Sequence, residues 1–509
     1  MVWIRSSGVI LHISSLPSRH GIGDLGQSAY QWIDFLDQSG TGFWQILPLN
    51  PTGFGESPYQ ALSTHAGNPD FINPDLLVSD GLLSSKDILI SQPLSDHRVD
   101  FRRMRKYKAE ILVLAFSNFK KGANRSFSVE FQDFQDLNHS WLLDFSTFMA
   151  IRMENRQKSW KEWPVPLKFR QKSALQGYQR ANAEEILWHS FLQFLFHRQW
   201  NAVKSYANQK EIRIIGDIPI YVGFDSADVW ANPHLFQLDN DLNPLAVAGV
   251  PPDFFSSSGQ LWGNPLYDWP AHKHNGYQWW INRIRTTLTQ VDVIRLDHFR
   301  GFAGYWHVPA GSETAADGEW KEGPGSDLFD AIESEIGNLP FIAEDLGVIT
   351  PDVVELRDAL NLPGMKVLQF AFGNGTENEY LPHHYKRNCI AYTGTHDNEP
   401  SRSWFASLPE QQRQFCLNYV GGSSKEIAHA MIRAIWQSPA IFAIAPFQDF
   451  LQVGSSGRMN LPGSAKGNWR WRLKPDQLTD DCSDWMKRIN ITFGRVHPNK
   501  NWSIQDLVE

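Results

Sequence analysis

Eight short, unbroken apolar runs spread along the chain limit what it can fold into. They are Gly8–Ile13, Gly42–Leu49, Ile212–Ile220, Asp292–Asp297, Pro340–Leu346, Met365–Phe372, Cys389–Thr395 and Ala440–Phe447. Apolar residues fill consecutive positions in these runs, which marks strands buried on both faces and therefore a parallel sheet. Segments with helical periodicity, such as Ser28–Gln38, Pro351–Leu360 and Pro409–Asn418, lie between most of them. Eight strands alternating with helices favour an α/β fold closed as a (β/α)8 TIM barrel over an open doubly wound sheet.

The spacing shows where such a barrel is elaborated. The second and third runs are about 160 residues apart, far more than one helix requires. Phe101–Lys120 and Ala181–Asn208 within that gap are charged, aromatic-rich and helix-like. We read 70–205 as a mostly helical insertion, with 1–69 and 206–509 forming the barrel and its loops. Phe224–Thr287 and Phe302–Asn338 are longer than minimal connections. Leu451–Trp471, rich in Gly, Ser and Asn, is expected to loop over the barrel mouth, and Thr479–Phe493 to close the chain as a helix.

Composition removes several classes of function. A net charge of −8 gives no footprint for nucleic acid or an anionic membrane surface. No apolar stretch approaches about 18 residues and the start lacks a signal-peptide pattern, so the expectation is a soluble, cytoplasmic protein. Three widely spaced cysteines fit neither a disulfide framework nor a zinc motif. The run of glycines in Gly21–Gly26 (GIGDLG) formally matches a dinucleotide fingerprint. It lies beyond its strand rather than in a tight strand-to-helix turn, and the next run ends in Leu49 and Asn50, with no acid for a ribose. These glycines read as loop formers, and neither a cofactor nor a metal is expected.

The informative pattern is at the strand exits. The third run ends with Asp217, the fourth with Arg295 and Asp297, the fifth with Glu344 and Asp345, and the seventh with His396 and Asp397. In a (β/α)8 barrel these ends form one rim, where active sites sit. Any one acid suits a structural ion pair. Several around one apolar-walled cup repel each other and strain a purely structural reading. No metal-like His spacing and no nucleophilic Ser or Cys stands at a strand end. Paired carboxylates without a metal suit glycoside chemistry, in which one acid attacks or stabilises the anomeric carbon and the other carries the proton. Neighbouring fourth and fifth strands would give the separation of about 5 Å expected of a retaining mechanism. Arg295, on the same strand face as Asp297, is expected to hold that carboxylate ionised, and partial burial behind FIA is expected to raise Glu344 as a proton donor.

The stretches RLDHFRG, IAEDLG and THDNE resemble the α-amylase clan. With LHISSLP, GFWQILPL, GESPYQALSTHAGNP, GDIPIYV, GVPPDFFSSSGQLWGNPLYDW, PGMKVLQFAF and RMNLPG…GNWRWR, the resemblance narrows to the 4-α-glucanotransferases known as amylomaltase or disproportionating enzyme, and it runs in order from about Ile10 to Arg472. It implies Asp297 as nucleophile, Glu344 as acid/base and Asp397 as the third carboxylate, binding sugar hydroxyls and helping to distort the ring. It further implies Asp217, Arg295 and His396 around the subsite before the scissile bond, and glucan contacts from Ser57, Tyr59, Trp262, Phe370 and Asn468. Phe370 equally suits the core. Phe54, where Tyr can occur in relatives, and Asn374, near where an acid can stand, depart from the pattern at outer glucan contacts.

The expected reaction is disproportionation, with α-1,4-glucans and maltooligosaccharides as partners and glucose or another glucan as acceptor. Transfer needs a mouth that disfavours water; Gly249–Trp269, carrying Phe254, Phe255 and Trp262, and Leu451–Trp471 are the expected covers. An amylase-type hydrolase and a non-catalytic glucan-binding protein are the alternatives.

Overall fold

The computed structural model describes residues 3–252, 258–337, 339–464, 466–497, 500, 502 and 505, without the side chains of Phe54 and Arg125. Its strands are β1 (Ser6–Ile10), β2 (Phe43–Gln45), β3 (Arg213–Pro219), β4 (Ala246–Val250), β5 (Gln260–Pro265), β6 (Val293–Asp297), β7 (Gly304–Pro309), β8 (Glu319–Glu322), β9 (Phe341–Ala343), β10 (Gly364–Val367), β11 (Cys389–Tyr392) and β12 (Phe442–Pro446). Eight of them close into a parallel barrel in the order β1-β12-β11-β10-β9-β6-β3-β2. These are the eight apolar runs, so the expected (β/α)8 barrel is the fold. Each strand is shorter than its run, and most runs continue into the buried start of the following loop.

Two apolar layers explain the unbroken runs. Ile10, Phe43, Ile215, Val293, Ile342, Met365, Val367, Ile390, Tyr392, Phe442 and Ile444 fill the barrel interior. The alternate residues, among them Val9, Trp44, Ile214, Ile294, Leu296, Ala343 and Ala391, face the helices. Trp44, fully buried, packs edge-on against Trp32 and Trp200 at centroid distances of 6.4 and 6.3 Å. Burial of one such ring, about 200 Å² at about 25 cal/mol per Å², contributes roughly 5 kcal/mol.

The barrel seam joins β1 to β12 over Ser6–Ile10 and Phe442–Pro446. Two guanidiniums hold it. Arg5 donates to the carbonyls of Trp436, Ser438 and Ala440, and the fully buried Arg495 to those of Ser6, Trp436 and Ser438.

Helices dominate the stretch between β2 and β3, among them Phe101–Lys120, His139–Glu154 and the 27-residue Ala183–Gln209. The last of these reaches back to the barrel, where the Trp200 indole donates to the Gln290 carbonyl. In the GIGDLG stretch, a Cβ on Gly23 would stand 1.9 Å from the Ile13 carbonyl oxygen, and one on Gly26 would stand 2.2 Å from the Asn73 amide. Close packing, not a phosphate, requires these glycines.

The long connections after β3 and β6 hold something the apolar pattern does not announce. They form a four-stranded antiparallel sheet, β5-β4-β7-β8, beside the barrel. Its strands escape notice for a physical reason. Gly and Pro interrupt QLWGNP and GYWHVP, and EWKE is exposed along its whole length.

Candidate active site

Strand alternation builds the site. Val293 points into the barrel, so Arg295 and Asp297 do as well; Ile215 carries Asp217 inward, and Ile342 carries Glu344. Ala343 pairs with Leu296, which sets Glu344 beside Asp297 on adjacent strands. Their backbones are therefore one inter-strand spacing apart, about 4.8 Å. Asp217 lies across β3 from Arg295 in register.

Arg295 organises the acids. Its Nη1 donates to both oxygens of Asp217, at 2.8 and 2.7 Å, and lies 2.9 Å from Asp297 Oδ1. Asp217 is fully buried, whereas 29% of the Asp297 side chain remains open to the cup. The Tyr59 hydroxyl donates to Asp217 Oδ2 at 2.6 Å. Burial pushes the Tyr59 phenol well up, so it stays a donor.

Burial drives the Asp297 carboxyl well above the usual carboxylate range, helped by Asp217, Glu344 and Asp397; Arg295 opposes them. The guanidinium thus works against a strong upward pull and shares its charge with Asp217. Glu344 is also raised, first by burial, while Arg295 and two backbone amides oppose the shift. Those amides fix its geometry: His298 N donates to Oε2 at 2.7 Å and Leu346 N to Oε1 at 3.2 Å. His298 takes a left-handed φ of 55° at this turn, a conformation that costs roughly 1–2 kcal/mol and persists because the surroundings impose it. Asp345, next in sequence, points the other way. It accepts from Met365 N at 2.7 Å and pairs with Arg357 at 2.6 Å, so it ties β9 to β10 outside the cup.

Asp397 comes from the turn beyond β11 and is held by the loop after β12. Asn460 Nδ2 donates to its Oδ1 at 2.6 Å, and His396 Nε2 lies 3.3 Å from the same oxygen. Arg458 donates to the Asp397 carbonyl at 3.1 Å and pairs with Glu399 at 2.6 Å. Burial lowers the His396 imidazole, leaving it neutral. Its ring stacks on Tyr59 at 5.1 Å, and Trp469 stands 6.0 Å from both rings. Asn468 spends its amide inside the loop, accepting from Leu461 N at 3.1 Å and donating to the Ser464 carbonyl at 2.7 Å.

The remaining walls are aromatic. Trp262 on β5 packs edge-on to His298 at 4.8 Å. Burial lowers the His298 imidazole to about 3. Ser57 Oγ accepts from Tyr59 N at 3.2 Å. Their loop is latched by Arg105, which donates to Asp70 at 2.9 Å, Glu56 at 3.1 Å and Thr52 at 2.9 Å. Phe370 is 41% exposed and packs edge-on against Tyr380, on the surface rather than in the core. Phe254 and Phe255 lie outside the described residues, as does the side chain of Phe54. His383 and His384 sit exposed on hydrogen bonds to Tyr419 and the Thr376 carbonyl.

The fold therefore gathers Asp217, Arg295, Asp297, Glu344, His396, Asp397 and Tyr59 at one rim. Residue-by-residue reading misses Asn460, Arg458, His298 and Trp469. Asn460, Arg458 and Trp469 stand in a loop without periodicity, whose only signal is the motif RMNLPG…GNW itself.

Known proteins match this chain over most of its length. Residues 11–479 fit the family model Glyco_hydro_77, described as 4-alpha-glucanotransferase. A 4-alpha-glucanotransferase from Synechocystis sp. is 48% identical over 495 residues, 96% of this chain and 98% of that protein. One from Aquifex aeolicus is 44% identical over 496 residues, 97% of this chain and all of that protein. The solved amylomaltase from Streptococcus agalactiae in complex with acarbose superposes with a TM-score of 0.94 at 40% identity, covering 97% of this chain and 100% of that one. The chain belongs to the 4-alpha-glucanotransferase family and is a glycosyltransferring enzyme of the amylomaltase type.

Proposed function

We propose that this enzyme disproportionates α-1,4-glucans by retaining double displacement, with Asp297 as nucleophile, Glu344 as acid/base and Asp397 as the carboxylate that grips the sugar before the scissile bond. The observation that carries this reading is the placement of Asp297, at the end of β6, beside Glu344, the residue just beyond β9, with Arg295 against the first. Acids on adjacent strands suit the carboxyl separation of about 5 Å at which no water fits between carboxylate and anomeric carbon, so that the carboxylate itself attacks.

In the first step Asp297 forms a bond to the anomeric carbon as the glycosidic bond breaks. Glu344 gives its proton to the departing oxygen, and the reducing-end fragment leaves. In the second step the ionised Glu344 takes the proton from the 4-hydroxyl of glucose or another glucan. That oxygen attacks the anomeric carbon from the opposite face and releases Asp297. Atoms and charge return to the start.

Each acid is suited to its part. The upward pull on Glu344 keeps a proton available for the leaving group. Asn460 and His396 both engage Asp397 Oδ1, which leaves Oδ2 to a sugar hydroxyl. α-Glucan as substrate is supported by the acarbose bound to the S. agalactiae relative. Transfer over hydrolysis is supported by the loop around Asn460 and Trp469, which packs on Asp397 and His396 as a cover that disfavours water would.

Incubation with maltotriose tests the reading. Longer maltooligosaccharides should appear together with glucose; maltose and glucose in hydrolytic ratio, with no longer products, would replace it with an amylase-type hydrolysis. A protein that binds maltotriose without turning it over would be a glucan-binding module.

A further inference from the structure

The loop that carries His396 and Asp397 joins β11 to the helix Ser401–Ser407, and its two ends meet on an acid that the mechanism above does not use. Asp449 lies in the short helix Phe447–Phe450, directly after β12. It accepts from Thr393 Oγ1 at 2.6 Å, from Ser401 Oγ at 2.7 Å and from Ser401 N at 2.8 Å. Thr393 is the first residue beyond β11, and Ser401 is the first of the helix. Residues 394–400, His396 and Asp397 among them, span the interval between these donors.

Asp449 is 1% exposed, and Thr393 and Ser401 are fully buried. Among the described residues no salt bridge reaches Asp449; His429 acts on it from beyond ion-pair distance. Burial pushes its carboxyl up, and the hydroxyls of Thr393 and Ser401 and the Ser401 amide pull it back. A buried carboxylate without a salt bridge is costly, and an apolar side chain of similar size would serve stability alone. An apolar side chain cannot bring two segments of a loop to one point with directional bonds. The Ser401 amide opens a helix, so one of the three bonds acts as a cap. The bond to Thr393, at the other end of the loop, caps nothing.

Gln369, in the turn after β10, ties the same loop. Its Nε2 donates to the Glu399 carbonyl at 3.0 Å and to Ser401 Oγ at 3.3 Å, and its backbone N donates to the Thr393 carbonyl at 3.3 Å. A Cβ on Gly394 would stand 2.8 Å from that Nε2, so the loop lies close against the amide. Elsewhere the loop borders a cavity lined by His12, Gln369, His396, Asp449, Arg458 and Met459. Hydrogen bonds rather than apolar packing fix the loop on that side.

We infer that Asp449 is a positioning residue for the carboxylate that grips the sugar: by closing the loop at Thr393 and Ser401 it sets where Asp397 and His396 stand. This rests on the role proposed for Asp397 above. Arg458 and Asn460 hold the crown of the loop, and Asp449 and Gln369 hold its stem. A carboxylate that helps to distort the ring binds the transition state more tightly than the ground state. A displaced loop therefore costs kcat more than KM.

The test measures kcat and KM for maltotriose transfer, with chemical denaturation to correct for unfolded enzyme. Asp449→Ala should lower kcat roughly ten- to a hundredfold and leave KM within about twofold. Asp449→Asn should recover most of the loss, because its oxygen can accept from Ser401 N and its amide can donate to the two hydroxyls. Asp345→Ala removes another buried acid, on contacts outside this loop, and should lose stability but keep kcat within a few fold. In the Asp397→Ala background, Asp449→Ala should lower kcat no further. Ser401→Ala keeps the acid and should lower kcat severalfold at a nearly unchanged denaturation midpoint, which decides the matter even if Asp449→Ala does not fold. Wild-type kcat in folded Asp449→Ala or in Ser401→Ala, an Asn variant no better than Ala, or losses that add to that of Asp397→Ala would each overturn the positioning role and leave Asp449 as a helix cap. Wild-type kcat in Asp397→Ala would overturn the reading of Asp397 and this inference with it. A loss in Asp397→Ala beside an inert Asp449→Ala would overturn the inference alone.

Discussion

Arg295→Met asks whether this guanidinium acts through its charge or its bulk. Its Nη1 lies 2.9 Å from Asp297. A unit charge pair at that distance is worth about 6 kcal/mol at an effective dielectric of about 20 and about 1.4 kcal/mol at that of water. Asp297 is partly open to the cup, so the true value lies between these limits. Loss of Arg295 should therefore raise the Asp297 carboxyl further. Attack needs the ionised carboxylate, and burial together with Asp217, Glu344 and Asp397 already drives it upward. The acid limb of the kcat/KM profile for maltotriose should therefore move to higher pH. Below the new limb, activity should fall about tenfold per pH unit. Arg295→Lys keeps a charge and should shift the limb less. Asp217 loses its partner in Arg295→Met at a cost of about 3–5 kcal/mol, so chemical denaturation must accompany the kinetics to correct for unfolded enzyme. A uniform drop in kcat with the acid limb unmoved would refute the electrostatic role and leave Arg295 as a packing residue.

Asp297→Asn should abolish turnover yet raise Tm at neutral pH. The folded-state pKa of Asp297 is raised above its unfolded value; stability is therefore lost as pH climbs through that window, and an uncharged amide avoids the loss. An unchanged or lower Tm would contradict this sign. Asp345→Ala should separate the two neighbouring acids, with denaturation showing a loss of about 3 kcal/mol while kcat of the folded enzyme stays within a few fold. Asn460→Ala frees Asp397 and should lower kcat roughly ten- to a hundredfold with little change in Tm; wild-type kcat would show that Asp397 does not depend on this amide.

The strands were legible because a barrel strand buried on both sides writes an unbroken apolar run. Alternation then carried the reading further than the runs did. Val293, Arg295 and Asp297 share one parity, so one inward residue places all three. The same parity divides Glu344 from Asp345, one aimed at the cup and the other at Arg357. The side sheet stayed hidden because QLWGNP and GYWHVP are broken by Gly and Pro and EWKE faces solvent, so none of these three strands writes an unbroken run. Asp397 stands five residues beyond the end of β11, where parity no longer holds, and its place at a strand exit and the motif around it mark it. Asn460 and Arg458 act through contacts spanning some 60 residues, a distance no local pattern encodes. Arg295 pulls Asp297 in the expected direction, but burial pulls the other way, and how deeply the strand exit is buried is set by the loops around it rather than by the strand's own sequence.

The seam has a consequence for how the molecule comes into being. During synthesis Asp217, Asp297, Glu344 and Asp397 all precede β12, yet β1 waits as an open edge until Phe442–Pro446 arrives to pair with it. A nascent chain then holds every acid of the rim on an unclosed sheet. Contacts this distant form slowly, and an unpaired edge invites association with other chains. Arg5 and Arg495 answer that hazard, because Arg5 reaches the Ser438 carbonyl and Arg495 the Ser6 carbonyl only when the two ends of the chain have met. Catalytic competence is thus acquired in one late step, when the barrel shuts.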